Sequence, residues 1–378
     1  MLQSLVLLSL LGASFATIHT LIISGDSSGG AFSARFDDVT HELTHTGMSI
    51  PGVNGGNWIA LPSISTAYLT FRNASVVAAY DVSPSGALTA VGSPVVVPVP
   101  VYVGVTHNSS FLFTASYPSG AIATVPLDQN GIPIPPASTT TFTATDPLPS
   151  PQDQSRPHSG IVDVSGQYLI FPDDGLDLLH VYKIGATSAT FLYDEPSYVR
   201  PAGPRHGVVS GYPVVRDWVP RLHVVNEEDN SVETWIMHYS PNNMSLIMQG
   251  SSAVSTLAVP AGMNVSTAAE LLISPNGKYL LASNRDASLF AEGSIAVFRI
   301  NPPTAETALT RISITTSGGA NPRSMSLDRT GKWLAVANGN SNSTAMFSFD
   351  QETGLLARTA VANLTGVRGG LIFHYYFR

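Results

Sequence analysis

Apolar residues along the chain fall into short runs, such as Tyr279-Leu280-Leu281-Ala282-Ser283 and Trp333-Leu334-Ala335-Val336-Ala337, each bounded by Gly, Pro, Asp or Asn. Runs of this length between turn residues predict β-strands, and no stretch keeps the 3.6-residue period of an amphipathic helix. One pattern recurs: a short apolar strand, an Asp, a few turn residues, then a second apolar stretch. It occurs as Phe36-Asp37-Asp38, Tyr80-Asp81-Val82, Leu127-Asp128-Gln129 and Phe349-Asp350-Gln351. The first three Asp positions lie 44 and 47 residues apart, and the interval from Asp128 to Asp350 leaves room for three further strands ending near Tyr182, Tyr239 and Phe298. The total is seven units.

A second pattern precedes these strands within the units. Asp163 with Gly166 and Tyr168, Ser274 with Gly277 and Tyr279, and Asp328 with Gly331 and Trp333 each read as a strand, a tight turn closed by Gly, and a returning strand. Units of about 40–50 residues holding about four strands each are what a propeller blade requires, because a blade buries both faces only when neighbours stack on it. The fold class predicted is all-β: a seven-bladed β-propeller with four-stranded antiparallel blades. It occupies residues 17–378 as one domain, with an irregular C-terminal tail at 371–378. The Ser/Thr/Pro-rich stretch from Ser138 to Pro157 reads as a loop between the third and fourth units.

Composition supports this reading and narrows the function. Only 12% of the residues are charged, while 32 Gly and 27 Pro supply many turns. The net charge of −8 and the scattered Lys and Arg give no basic footprint, which argues against nucleic-acid binding. Met1 to Ala16, an apolar run followed by small residues, has the form of a signal peptide and is too short to span a bilayer. Six sequons, at Asn73, Asn108, Asn243, Asn264, Asn342 and Asn363, accompany it. Together they predict a secreted glycoprotein, extracellular or in a cell wall, with no membrane span. The chain has no Cys, so neither disulfides nor thiolate metal sites are available.

Two tempting motifs are set aside. His41-Glu42-Leu43-Thr44-His45 matches the zinc-protease pattern, but that chemistry needs a helix to bring both His to one metal. Here the segment falls on the turn and outer strand of the first unit, and in an extended strand the two His lie ~13 Å apart. No metal site is predicted. Gly25-Asp26-Ser27-Ser28-Gly29-Gly30 resembles a serine-protease nucleophile loop but reads better as a glycine-rich turn.

In an antiparallel blade the start of the innermost strand and the end of the next lie on the same rim, near the axis. That rule places His158, then Arg205 and His206, then Arg323 at the starts of inner strands. It places Asp173, Glu227, Arg285 and Asn338 at the ends of second strands. Arg forks carboxylates and His or Glu moves a proton, so the set suits a small carboxylate- or lactone-containing molecule as partner. Polar residues that merely line a wet channel are the plain alternative.

The segments Arg156-Pro157-His158, Gly203-Pro204-Arg205-His206, Val224-Val225-Asn226-Glu227, Ala282-Ser283-Asn284-Arg285 and Asn321-Pro322-Arg323 resemble the seven-bladed lactonase family. That family includes bacterial 6-phosphogluconolactonase and the fungal 3-carboxy-cis,cis-muconate lactonizing enzyme, or carboxymuconate cyclase. The resemblance runs from about residue 100 to 350 and implies a secreted, fungal-type member. It implies a cofactor-free lactone-forming or lactone-opening enzyme, a cycloisomerase like the cyclase, with His158, Arg205, Glu227 and Arg285 as catalytic residues. In that reading Arg205 and Arg285 also hold the substrate, while His158 and Glu227 exchange protons. Two departures bear on the substrate: unit three begins Pro98-Val99-Pro100-Val101 where phosphogluconolactonase-like members commonly have a His, and Ser210 to Arg221 is an insertion. A 6-phosphogluconolactonase-like hydrolase is one alternative function, and a non-catalytic surface glycoprotein or adhesin is another.

Overall fold

The computed structural model describes residues 17–25, 30–50, 55–144, 151–211, 219–241, 245–258, 266–285, 292–363 and 367–374. Met1 to Ala16, read above as a signal peptide, the middle of the Gly25–Gly30 loop and most of the Ser210–Arg221 insertion lie outside them. Among the described residues there is no α-helix, and the strands form seven four-stranded antiparallel sheets.

The first sheet contains β1 (Ile18–Gly25), β2 (Ala31–Asp37) and β3 (Leu43–Ser49); the second is β4 (Gly56–Ala60) to β7 (Leu88–Val96). The third runs from β8 (Tyr102–Val105) through β9 (Phe111–Ser116) and β10 (Ala121–Pro126) to β11 (Ser138–Thr141). The fourth is β12 (Ile161–Val162), β13 (Tyr168–Asp173), β14 (Leu178–Ile184) and β15 (Ala189–Pro196). The fifth follows as β16 (Pro204–Ser210), β17 (Arg221–Asn226), β18 (Ser231–Tyr239) and β19 (Leu246–Ser255). The sixth is β20 (Ala268–Ile273), β21 (Tyr279–Asn284), β22 (Ser294–Ile300) and β23 (Leu309–Thr316). The seventh is β24 (Pro322–Leu327), β25 (Trp333–Asn338), β26 (Ser343–Asp350) and β27 (Leu355–Asn363). The recurring Asp falls at or just after the third strand of each blade that carries it, as at Asp37, Asp81 and Asp350.

The last strand, β28 (Val367–His374), is the innermost strand of the first blade and pairs with β1, with Leu21 opposite Phe373 and Ile23 opposite Leu371. Leu371–His374 therefore do not belong to an irregular tail. Their alternation is hard to see beside the aromatic run that follows, yet it is regular: Leu371 and Phe373 pack with Trp333 of the seventh blade, and Ile372 packs toward the second. Ser138–Thr141 is a further correction. This segment forms β11, the outer edge of the third blade, and all four of its residues are exposed, so no apolar alternation marks it as a strand.

Stacking of the blades explains the burial. Leu21 and Ile23 face the seventh blade while Ile22 faces the second, so one strand feeds two apolar layers. Seven such layers, one between each neighbouring pair of blades, close the ring. Each fully buried Leu, Ile or Phe contributes about 1.5–3 kcal/mol, and this distributed core replaces the disulfides the sequence lacks. The Asp-to-Gly turns repeat as expected: Asp163 Oδ1 accepts the Tyr168 N–H and Asp328 Oδ1 that of Trp333, both at 2.7 Å. Gly166 and Gly331 close these turns at φ +68° and +72°, where a side chain is strained.

His41 sits in the turn after β2 at φ 58°, against Phe36 and Trp333, while His45 lies on β3 against Phe32. The two rings pack separately, and the zinc-like motif is a blade turn.

Candidate active site

In the third to sixth blades the second strand ends on a polar residue, Ser116, Asp173, Asn226 or Asn284, whose side chain is spent on structure, and the residue after it turns toward the axis. The pleat sends successive side chains to opposite sides. Asn226 Nδ2 donates to Ser231 Oγ, and Asn284 Nδ2 to Ser294 Oγ. Glu227 and Arg285 follow them and meet at the centre.

Two expected rim residues fall on the structural side of this rule. Asp173 is fully buried and its carboxylate accepts from Ser155 Oγ and from the backbone N–H groups of Arg156, Gly175 and Leu176. It also lies 3.0 Å from His180 Nε2, whose other nitrogen meets Asp194. Burial disfavours the imidazolium of His180, yet its hydrogen bonds to Asp173 and Asp194 outweigh that and raise its pKa. Asn338 is likewise fully buried and donates to Ser317 O. Neither is placed to bind substrate. Asp174, one residue beyond Asp173, takes the central position instead.

Three carboxylates converge there: Asp174, Glu227 and Glu228 have oxygens within 4.8 Å of one another. Arg205 Nε lies 2.7 Å from Glu227 Oε2, as an ion pair whose N–H is poorly aligned for a hydrogen bond, and Arg285 Nη2 contacts Glu227 Oε1. Arg205 is 1% exposed and also donates to Ala269 O at 2.6 Å. Burial works against the Glu227 carboxylate, but Arg285 and Arg205 outweigh it and hold its pKa below the usual value. Burial, followed by repulsion from Glu227, raises Glu228 to about 7. Burial, then Glu227 and Glu228, raises Asp174 well above the carboxylate range, and neither of its oxygens has a partner among the described residues. Because both Glu227 oxygens already face guanidinium groups, this donor set fits retained protons better than a cation.

Gly203 makes room for the pair. At φ +71° a Cβ there would stand 2.4 Å from Asp174 Oδ1 and 2.7 Å from Glu228 Cγ. Gly203→Ala is expected to lower stability by about 1–3 kcal/mol, read from chemical denaturation midpoints; an unchanged midpoint would contradict the close packing.

On the other side of the centre, His158 Nδ1 lies 3.1 Å from His206 Nε2, and His206 Nδ1 lies 2.9 Å from Glu270 Oε1. All three residues are buried, with exposures of 4%, 3% and 4%. Burial first, then the positive charges of Arg205, Arg323 and Arg285, holds His158 well below the usual imidazole pKa, so its ring is neutral. Arg323 is pulled down to about 10 by burial and by Arg205 and Arg285, and no described residue pairs with it. Tyr117 packs edge-on against His158 with ring centroids 5.5 Å apart. Burial, then Asp174 and Glu227, raises the Tyr117 phenol, which stays a proton donor.

The structure therefore brings together His158, Arg205, His206, Glu227, Arg285 and Arg323. Sequence reasoning missed Asp174, Glu228, Glu270 and Tyr117. Of the sequons, Asn73 and Asn108 are exposed and Asn342 is partly buried; Asn243 and Asn264 lie outside the described residues, as does the side chain of Asn363.

Comparison with known proteins agrees with this fold. The sequence pattern of the family described as "Lactonase, 7-bladed beta-propeller" matches residues 16–367, and the chain belongs to that family. The family is thus one of seven-bladed propeller lactonases. A protein of Pectobacterium carotovorum named 6-phosphogluconolactonase is 27% identical over 80% of this chain and 84% of its own length. The "Probable 6-phosphogluconolactonase" of Arthroderma benhamiae is 34% identical over 57% of this chain, and the match spans about half (53%) of that relative. Among solved structures, the periplasmic gluconolactonase PpgL of Pseudomonas aeruginosa superposes with a TM-score of 0.79 at 21% identity, over 94% of this chain and 99% of that one. At that identity the likeness speaks for the fold.

Proposed function

We propose that this protein hydrolyses a small lactone that carries an anionic group, with a phosphorylated or carboxylated sugar-acid lactone as the substrate class. The observation that carries the reading is the unpaired guanidinium of Arg323 beside a neutral His158. Arg323 is partly buried, and a partly desolvated cation without a partner gains by pairing with an anion, while a neutral imidazole beside it can accept a proton from water. His158 takes that proton as the water oxygen bonds to the lactone carbonyl carbon. Arg285 faces the negative charge that develops, and Arg323 holds the anionic group of the substrate. As the ring C–O bond breaks, Glu228 or Asp174, each retaining a proton, gives it to the departing ring oxygen. The product is a hydroxy acid. Glu227, held ionised by two Arg, serves this scheme as their anchor.

Ring closure of a carboxylated muconate, as in the cyclase, is a different step: a substrate carboxylate oxygen adds to the C=C bond while a proton is delivered to the neighbouring carbon, and here Glu228 or Asp174 would supply that proton. The names of the relatives favour hydrolysis, and the proton-bearing Glu228 and Asp174 suit a leaving alkoxide. The test is a pH-stat assay against 6-phosphogluconolactone, unphosphorylated gluconolactone and carboxylated muconates. Arg323→Ala is expected to raise KM for the phosphorylated lactone by about 10–100-fold, with little change for the neutral one and no loss of melting temperature. Turnover of the muconate alone would make the protein a cyclase, and binding without turnover would return it to the adhesin reading.

A further inference from the structure

Sequence and family resemblance point to His158, but the ring is only one end of a buried chain. Glu270 Oε1 already accepts the backbone N–H of Leu271 at 3.1 Å. An oxygen that accepts there presents a lone pair to His206, so His206 Nδ1 carries the hydrogen that joins them. His206, neutral because burial lowers its pKa despite the opposing pull of Glu270, then has a bare Nε2. That nitrogen can only accept, so the hydrogen between the two rings sits on His158 Nδ1. The consequence is a single tautomer for His158, with its Nε2 lone pair open, and no described residue hydrogen-bonds that atom.

The surroundings hold the chain in place. Trp58 packs edge-on against His206 with centroids 4.9 Å apart, and Tyr102 does so at 5.7 Å. The Glu270 N–H donates to Ser283 Oγ, which donates in turn to Pro322 O, beside Arg323. Water is kept from every link, as the near-complete burial of the three residues shows. The charged and titratable groups facing the chain are Arg205, Arg285, Arg323 and Tyr117 at His158, Arg205, Arg323 and Tyr102 at His206, and Arg205 and Tyr102 at Glu270.

We infer that Glu270 and His206 are positioning residues that fix the Nδ1–H tautomer of His158 and stabilise the imidazolium formed when its Nε2 takes a proton. The inference rests on the hydrolytic reading for its catalytic consequence, but its structural half needs no substrate. As a proton arrives at His158 Nε2, the Nδ1–H can shift toward His206, and the His206 Nδ1–H toward Glu270. The positive charge is thereby shared along two hydrogen bonds and ends against a carboxylate. This is the orienting logic of a serine-protease triad, with a second imidazole inserted between base and acid.

The experiment uses the full-length protein with 15N-labelled histidine and compares the parent with Glu270→Gln and His206→Phe. In the parent, His158 is expected to show a protonated Nδ1 and a bare Nε2 by 15N correlation spectra. Both variants should lose that single tautomer and show exchange between two. In turnover, Glu270→Gln should lower kcat by about 10²-fold, leave KM within about 2-fold, and move the acid limb of the kcat profile to lower pH, because the imidazolium loses its anionic neighbour. A purely structural Glu270 would alter melting temperature without moving the limb. A parent spectrum with protonated Nε2 overturns the inference whatever the substrate proves to be. The expected spectrum with no lactone turnover would leave the tautomer chain standing and sink the hydrolytic reading instead.

Discussion

His158→Ala is expected to lower kcat for the lactone substrate by about 10²–10⁴-fold while KM changes little, because the ring moves a proton in the transition state and does not hold the substrate. The side chain is small enough to remove without exposing an ion: its imidazole is neutral, and its loss leaves only His206 Nε2 without a partner. The pH profile of the parent supplies a second readout. The depressed His158 pKa means the base is free well below the usual imidazole range, so the acid limb lies below pH 6.5. Glu228 is raised to about 7, so a general acid at that position is lost as pH rises through about 7. A Glu228→Gln protein should lose the alkaline limb. A His158→Ala enzyme with parental kcat would remove the base from the scheme.

Arg205→Ala is expected to be the most destabilising substitution in the site. Its guanidinium is 1% exposed, pairs with Glu227 and donates to Ala269 O. Removing one partner of a buried pair destabilises by about 3–5 kcal/mol. Glu227 keeps Arg285, so the lower end applies here. For a domain of this size that corresponds to a fall of about 4–5 °C in melting temperature. Arg205→Lys should recover little of it, since one ammonium cannot reach both the carboxylate and the carbonyl. A melting curve that does not move would show that Arg205 is held by its surroundings and holds nothing in return. The contrast with Arg323 is the informative part: Arg205 is engaged with Glu227 and Ala269 O, whereas Arg323 has no partner among the described residues.

The fold was legible because it repeats. Each blade restates the same strand-turn-strand pattern, so weak local signals at Asp37, Asp81 and Asp350 reinforce one another. The strands that escaped notice are those where this help fails: β11, an all-polar edge, and β28, which joins the first blade from the far end of the sequence. The site was legible to within one residue. Phe171-Pro172-Asp173-Asp174 aligns with Val224-Val225-Asn226-Glu227 and Ala282-Ser283-Asn284-Arg285, and that register puts Asp174, not Asp173, beside Glu227 and Arg285. Val336-Ala337-Asn338 obeys the same register and makes Asn338 structural. Glu270 left a trace too, as the lone charge in the apolar run Ala268-Ala269-Glu270-Leu271-Leu272. What no pattern shows is the ionisation. Glu227 and Glu228 are neighbours of the same chemical type, and only the placement of Arg205 and Arg285 makes one an anion and the other an acid.

The pairing of β28 with β1 also governs when this ring can exist. The hydrogen bond from Ser24 Oγ to Gly370 O joins positions 346 residues apart, so the first blade remains three strands wide until residues 367–374 are available. Contacts so distant in sequence form late. During synthesis the inner edge of β1 therefore has no partner in its own blade until the last strand has been made, and the ring of seven blades can close only then.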